Sequence, residues 1–179
     1  MKTVAVFGSA LPTPDDPLYQ SAREIGRKLG EAGFAVLTGG YNGLMAAASQ
    51  GAHEAGTKVI GATCLSFERE RGSRPNPWVT EIIARESLRD RLMVLVDVPD
   101  AYVLLPGGLG TLNELVFASE SMRSGDIKRR PLICYGDFWR PLVNMMTESG
   151  FMHHQGWGSL DFAETPEQVV ELIQSHVSR

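Results

Sequence analysis

The sequence predicts a doubly wound α/β fold, in which a mainly parallel sheet is covered by helices on both faces. Short apolar runs alternate with helical patterns along the chain, the runs are almost entirely apolar, and glycine-bearing turns follow several of them. Strands that are apolar on both sides are typical of a parallel sheet buried between helices. Helices between such strands supply the crossovers that a parallel sheet requires.

Each element has its own signal in the sequence. Five apolar runs are predicted as central strands: residues 4–7, 35–38, 58–63, 101–105 and 131–135. Helical periodicity is found over residues 17–32, 42–55, 87–98, 111–124 and 138–148. Residues 66–76, which are polar and basic, are predicted as a surface loop or flap, and residues 150–159 as a glycine-rich connection. The predicted fold is therefore Rossmann-like.

Composition limits the possible classes of protein. A length of 179 residues, 43% hydrophobic, predicts one domain spanning 1–179. The net charge of −4 argues against broad binding to nucleic acid. Cys64 and Cys134 each lie at the end of an apolar run, far apart in the sequence, which is typical of buried thiols in a reduced cytoplasmic protein. No stretch approaches membrane-spanning length. His153 and His154 are adjacent and point in different directions, so no metal site is predicted.

Three glycine-bearing turns follow three predicted strands and should meet at one edge of the sheet. The turns contain the candidate ligand-binding residues Gly8 and Ser9; Gly39, Gly40, Gly43 and Met45; and Pro106, Gly107, Gly108, Gly110 and Thr111. Glycine allows the backbone to approach an anion closely, and the start of a helix attracts negative charge. The dinucleotide fingerprint and the P-loop are both missing. The turns therefore predict a site for a phosphorylated ligand of nucleotide size.

Two charged residues near these turns have alternative interpretations. Glu114 either closes a capping box with Thr111 at a helix start or projects into the anion-binding pocket, and the local pattern favours neither. Arg91 lies in the first turn of a helix that a Ser87–Asp90 capping box begins. Taken alone, Arg91 is expected to be a solvated arginine paired with Asp90 or Asp97. The alternative is an arginine directed at a ligand phosphate or base.

The segment 106–114, Pro-Gly-Gly-Leu-Gly-Thr-Leu-Asn-Glu, resembles the signature of the LONELY GUY (LOG) family, often labelled "lysine decarboxylase". Characterised members are cytokinin-activating phosphoribohydrolases that release a purine base from a nucleoside 5′-monophosphate. The segments 7–9, 39–45 and 127–131 are also similar to that family. The resemblance implies that Glu114 and Arg91 form the catalytic pair, that no cofactor is needed and that the protein is a homodimer. Arg89, Leu92 and Asn113 depart from the family pattern and suggest a divergent bacterial branch.

The expected activity is hydrolysis of the N-glycosidic bond of AMP or a cytokinin riboside monophosphate, giving free base and ribose 5-phosphate. A non-hydrolytic nucleotide carrier or sensor is the alternative, because molybdenum-cofactor carriers resemble the LOG family without sharing its hydrolysis. Amino-acid decarboxylation is excluded, since it usually needs pyridoxal phosphate on a lysine. The four lysines, Lys2, Lys28, Lys58 and Lys128, all lie away from the glycine turns.

Overall fold

A computed structural model describes residues 1–152 and 156–177. Seven strands lie in this part of the chain: β1 (Thr3–Phe7), β2 (Ala35–Thr38), β3 (Val59–Cys64), β4 (Glu81–Arg85), β5 (Ala101–Leu104), β6 (Pro131–Tyr135) and β7 (Ser159–Ala163). The helices between and after them are α1 (Pro17–Glu31), α2 (Leu44–Glu54), α3 (Leu65–Arg71), α4 (Leu88–Asp97), α5 (Leu109–Ser124), α6 (Arg140–Glu148) and α7 (Pro166–Val177). His153 and His154, which were not predicted to bind a metal, lie outside the described residues.

The strands form one sheet in the order β4-β3-β2-β1-β5-β6-β7, and every pairing is parallel. The predicted doubly wound α/β class is confirmed. Strand order reverses between β1 and β5, where Phe7 is level with Leu104. The carboxyl ends of these strands diverge into separate turns, and such a switch point is the usual ligand-binding crevice of this architecture.

Each face of the sheet carries its own apolar core. On one face α1, α2 and α7 bury Ile25, Leu44 and Ile173 against the sheet. On the other face α4 and α5 bury residues such as Leu95 and Leu115. Burial on both faces explains the apolar strands, because each large aliphatic side chain removed from water contributes about 1.5–3 kcal/mol. The two cysteines are free and buried, as predicted.

The edges of the sheet differ from the prediction. All five predicted strands are present, but β4 and β7 were not expected. β4 begins with Glu81 and ends with Arg85, and its Ile82 is 54% exposed, so the apolar signal of a buried strand is missing. The segment 66–76 is only partly a loop, because α3 occupies most of it. The seven-residue α3 has no fully buried side chain, which explains why its sequence shows no clear helical period. No helix in the described part of the chain is both long and apolar enough to span a membrane.

Candidate functional site

A cavity of about 440 Å³ opens at the carboxyl ends of the central strands, at the switch point. Most of the predicted site residues line it: Gly8, Ser9, Gly39, Met45, Arg91, Gly108, Gly110, Thr111 and Glu114. These residues come from the turns after β1, β2 and β5 and from helices α2, α4 and α5. The sheet thus brings together segments that are distant in the sequence.

The start of α5 differs from the predicted one. The helix begins at Leu109, two residues before the predicted start at Thr111, and Gly108 is its N-cap without a side-chain cap bond. Thr111 is therefore inside the first turn, and the capping-box interpretation of Glu114 is wrong. The Thr111 side chain fills the space in which a Cβ of residue 107 would lie, so Gly107 is needed for packing. Glu114 is free to project into the cavity.

Glu114 is a half-buried carboxyl group on the wall of this cavity. Burial raises its pKa to about 7, and the positive charge of Arg91 opposes this rise. Burial raises the pKa because a carboxylate loses water that the protein does not fully replace. A carboxyl group with a pKa near neutrality can act as an acid or a base at physiological pH.

Arg91 is buried, with only 7% of its surface exposed, so the expectation of a solvated arginine paired with Asp90 or Asp97 is wrong. Its Nε donates to the carbonyl of Ala62 at 2.7 Å, and its Nη2 donates to the carbonyl of Gly39 at 3.1 Å. Burial lowers the pKa of Arg91, and Glu114 opposes that effect. Among the described residues no ion pair within 4.0 Å joins Arg91 to Glu114. Arg91 and Glu114 therefore both line the cavity, and no direct ion pair between them blocks it.

The position of Arg91 depends on the lack of a side chain at Gly39. A Cβ there would overlap the Nη2 atom of Arg91 and would lie 2.5 Å from the Sδ atom of Met45. The sequence predicted Gly39 as a ligand-binding residue. In the structure Gly39 also has a packing role, since only glycine leaves room for the Arg91 guanidinium above the end of β2.

Four of the predicted binding residues do not line this cavity. Gly40 and Gly43 have positive φ angles of 78° and 66°, which favour glycine in the turn before α2. Pro106 accepts a hydrogen bond from the backbone N–H of Ser9 at 3.0 Å. Pro106 and Gly107 line a neighbouring cavity of about 550 Å³, which shares Ser9, Leu11 and Gly108 with the first. All four residues shape the turns, and their contact with a ligand stays a prediction.

Gly108 and Gly110 have open space where a Cβ would be, with no protein atom within 4 Å. The fold therefore does not require glycine at either position, whereas a ligand resting on this backbone would. Gly110→Ala should stabilise the protein by roughly 0.4–1 kcal/mol, because alanine restricts the unfolded chain. The sequence predicts that a phosphate rests on this backbone. If it does, the same change should weaken phosphate binding, because the new methyl group would occupy the phosphate's space.

Thermal unfolding with and without ribose 5-phosphate measures both effects of Gly110→Ala. Gly125→Ala is an informative comparison, because Gly125 lies at the other end of α5 with a φ of 86° and should lose stability without affecting ligand binding. Unchanged ribose 5-phosphate binding by Gly110→Ala would contradict a ligand position at the start of α5.

Sequence reasoning missed several residues of the cavity wall. Tyr41 and Asn42 belong to the glycine turn after β2, and Phe67, Arg71 and Ser73 come from α3 and the segment after it. Tyr41 lies between two residues predicted to bind ligand, so its place in the turn was an available signal. Phe67, Arg71 and Ser73 had a weaker signal in the basic composition of the segment 66–76, which suggested that part of this segment borders the site without indicating which residues.

The comparison with known proteins identifies the family. The family model described as "Possible lysine decarboxylase" matches residues 45–173, which is most of the chain. The chain belongs to this family. The LOG protein of rice, named "Cytokinin riboside 5'-monophosphate phosphoribohydrolase LOG", is a relative with 30% identity, over 89% of this chain and 67% of its own length. The resemblance to the LOG family is thereby confirmed.

Two further known proteins are similar to this chain. An Escherichia coli protein named "Pyrimidine/purine nucleotide 5'-monophosphate nucleosidase" is 31% identical over 76% of this chain, which spans 34% of that protein. A solved structure of a molybdenum cofactor binding protein from Rippkaea orientalis is 25% identical, with a TM-score of 0.75. That similarity covers 97% of this chain and 96% of the other.

The family's descriptive name does not match the chemistry of this LOG-family cavity. The described residues that line it include no lysine, and Lys28 and Lys58 form ion pairs with Glu167 and Glu81 elsewhere. In the described part of the chain, no group of three histidine, cysteine or acidic residues is arranged to hold a metal ion. The charged side chains of the lining are Arg71, Arg91 and Glu114.

Proposed function

We propose that this protein hydrolyses the N-glycosidic bond of a purine nucleoside 5′-monophosphate, such as AMP or a cytokinin riboside monophosphate. The observation that carries the proposal is that Glu114 and Arg91 line one cavity and interact electrostatically there, and that the open start of α5 lies in the same cavity. The names of the rice and E. coli relatives support a phosphoribohydrolase or nucleosidase activity.

The start of α5 suits the 5′-phosphate of such a substrate. The backbone N–H groups of the first helical turn have no partner within the helix, and the helix dipole is positive there. Gly108 and Gly110 leave this backbone open to the cavity. In the proposed complex the phosphate rests on these two glycines and on the hydroxyl of Thr111. The ribose then lies beside Glu114, one helical turn further along α5.

The proposed reaction breaks the bond between C1′ of the ribose and the purine nitrogen. The bonding electrons leave with the purine, the ribose gains oxocarbenium character, and the oxygen of a water molecule then bonds to C1′. Glu114, as a carboxylate, stabilises the cation or takes a proton from the water. Arg91 stabilises the negative charge on the departing purine, which finally takes up a proton. Such fixed charges typically contribute a few kcal/mol each.

The resemblance to the LOG family also favours a cytoplasmic homodimer without a cofactor, built from one domain per chain. Size-exclusion chromatography with light scattering tests the dimer.

Non-hydrolytic nucleotide binding is the second candidate. It is favoured by the solved molybdenum cofactor binding protein, whose similarity extends over nearly the whole chain. The two candidates share the same cavity and differ in what happens to a bound nucleotide.

Incubation of the purified protein with AMP distinguishes the two functions. We expect stoichiometric release of adenine and ribose 5-phosphate, detected by chromatography, because the cavity combines an acid–base group with a phosphate cradle. Tight AMP binding with no adenine release would instead support the carrier. A panel of nucleoside monophosphates, including an N6-substituted one, then identifies the preferred base.

A further inference from the structure

Four side chains form a continuous series along one wall of the cavity. The guanidinium carbon of Arg71 lies 4.2 Å from the ring centroid of Phe67. The rings of Phe67 and Tyr41 follow, with centroids 6.3 Å apart and planes tilted by 45°. The guanidinium carbon of Arg91 lies 5.7 Å from the centroid of Tyr41. The series therefore consists of two adjacent aromatic rings with a cation at each end, and it leads from α3 to the predicted catalytic arginine.

The Phe67 and Arg71 end of this aromatic wall, Arg71-Phe67-Tyr41-Arg91, lies on the β3 side of the cavity, whereas α5 begins on the β5 side. The cavity runs along the sheet edge past the ends of β5, β1, β2 and β3, which are neighbours in that order. Adjacent strands are about 4.8 Å apart, so β5 and β3, which are three strand spacings apart, lie roughly 14 Å from each other along this edge. A ligand whose phosphate rests on α5 therefore extends its other end towards Phe67 and Arg71.

The two ends of the aromatic wall differ in how firmly they are held, and the end formed by Tyr41 and Arg91 is the firmer one. The Tyr41 hydroxyl accepts a hydrogen bond from the N–H of Cys64 at 2.8 Å and donates to its carbonyl at 3.2 Å. Asn76 holds the backbone of the same turn through a bond from its Nδ2 to the Tyr41 carbonyl at 3.0 Å. Tyr41 is thus fixed, and Arg91 is held by its own bonds to the carbonyls of Ala62 and Gly39.

Arg71, by contrast, is exposed, and no acidic side chain of the described residues forms an ion pair with it within 4.0 Å. Within the described residues its guanidinium has the Phe67 ring as its only partner. Arg69, two residues earlier on α3, forms an ion pair with Glu86 at 2.6 Å. Arg71 can therefore move off Phe67 without losing a salt bridge.

We propose that Phe67 and Arg71 form the base-binding element of this site, with the purine lying against the cavity side of the aromatic wall. Its six-membered ring contacts Phe67 and Arg71, and its five-membered ring is directed towards Arg91. The inference rests on the proposed function, because it assumes a purine nucleotide with its phosphate on α5. Purines stack on aromatic rings and on guanidinium planes, and neither contact requires a particular pattern of hydrogen bonds.

The test compares a nucleotide with the same molecule lacking its base. Binding of AMP and of ribose 5-phosphate is measured by calorimetry in a Glu114→Gln background, so that AMP is not consumed. Phe67→Leu, which keeps apolar bulk without a ring face, should weaken AMP binding by roughly 10-fold, the size typical of one lost stacking contact. Phe67→Trp should retain AMP affinity. Arg71→Ala should also weaken AMP binding, whereas ribose 5-phosphate should bind all variants equally.

Arg69→Ala is the matched control, because it removes an exposed arginine from the same helix outside the cavity. The inference is overturned if Phe67→Leu binds AMP as tightly as its parent, or if Arg71→Ala behaves like Arg69→Ala. A loss of ribose 5-phosphate binding in Arg71→Ala would also overturn it, by assigning Arg71 to the phosphate. If the wild-type protein neither binds AMP nor releases adenine, it is the proposed function that fails.

Discussion

Glu114→Gln should reduce adenine release from AMP by about 10²- to 10⁴-fold, with little change in AMP binding. The amide has nearly the same shape as the carboxyl group but can neither carry a negative charge nor accept a proton. Those two properties are what the proposed transition state requires, and their loss has this order of magnitude in other enzymes. Steady-state kinetics with chromatographic detection of adenine measures the effect.

The same variant should change how stability depends on pH. In the folded protein the pKa of Glu114 is about 7, above the ordinary value of 4.5 that applies when the chain is unfolded. Between these values the folded state binds more protons, so the contribution of Glu114 to stability decreases as pH rises from 4.5 to 7. Glu114→Gln lacks this contribution, and its unfolding free energy should fall less over that interval.

Glu120→Gln provides the control for both measurements. Glu120 is on the same helix, but it is exposed and forms a surface ion pair with Arg123. Its substitution should change neither adenine release nor the pH dependence in the neutral range. Wild-type turnover by Glu114→Gln would remove this carboxyl group from the mechanism.

Arg91→Ala should lower turnover by about 10²- to 10³-fold and also destabilise the protein. The substitution leaves the buried carbonyls of Ala62 and Gly39 without their side-chain donor, which typically costs about 1–3 kcal/mol for each such group. The loss of positive charge should also raise the pKa of Glu114 further above 7, since Arg91 now lowers it. If the carboxylate is the active form, the acidic limb of the pH–rate profile moves to higher pH.

Arg91→Lys separates charge from geometry and remains informative if the alanine variant does not fold. It keeps a positive charge, so the acidic limb should stay near its wild-type position. Turnover should still fall, because an ammonium group cannot reproduce the planar donors of the guanidinium. Arg89→Ala, an exposed position on the same helix, is the control. Turnover by Arg91→Lys at the wild-type rate would show that the guanidinium has no specific role.

The central part of the fold could be predicted because its physical cause is written in the sequence. Strands buried on both faces need continuous apolar runs, and β1, β2, β3, β5 and β6 all have them. The edge strand β4 could not be recognised, because it is largely exposed and has a charged residue at each end. The start of α5 was placed two residues late, since a threonine usually suggests a cap while Gly108 caps through its backbone alone.

The lining of the candidate cavity was predicted in part, and the differences between prediction and structure have a common cause. Glycine turns at strand ends were recognised, but a glycine that receives a ligand cannot be told from one that makes room for a side chain. Gly39 is needed for Arg91, and Gly107 for Thr111, which only the packed structure reveals. The burial of Arg91 was equally inaccessible, because its carbonyl partners come from β3 and from the turn after β2, 29 and 52 residues away.

The close contact between Gly39 and Arg91 couples two positions of the chain that could otherwise mutate independently. Any side chain introduced at residue 39 must expel the guanidinium of residue 91, so these positions are expected to change together or not at all. Libraries that aim to alter substrate preference are therefore better directed to α3, where mutations leave that interlocked pair undisturbed.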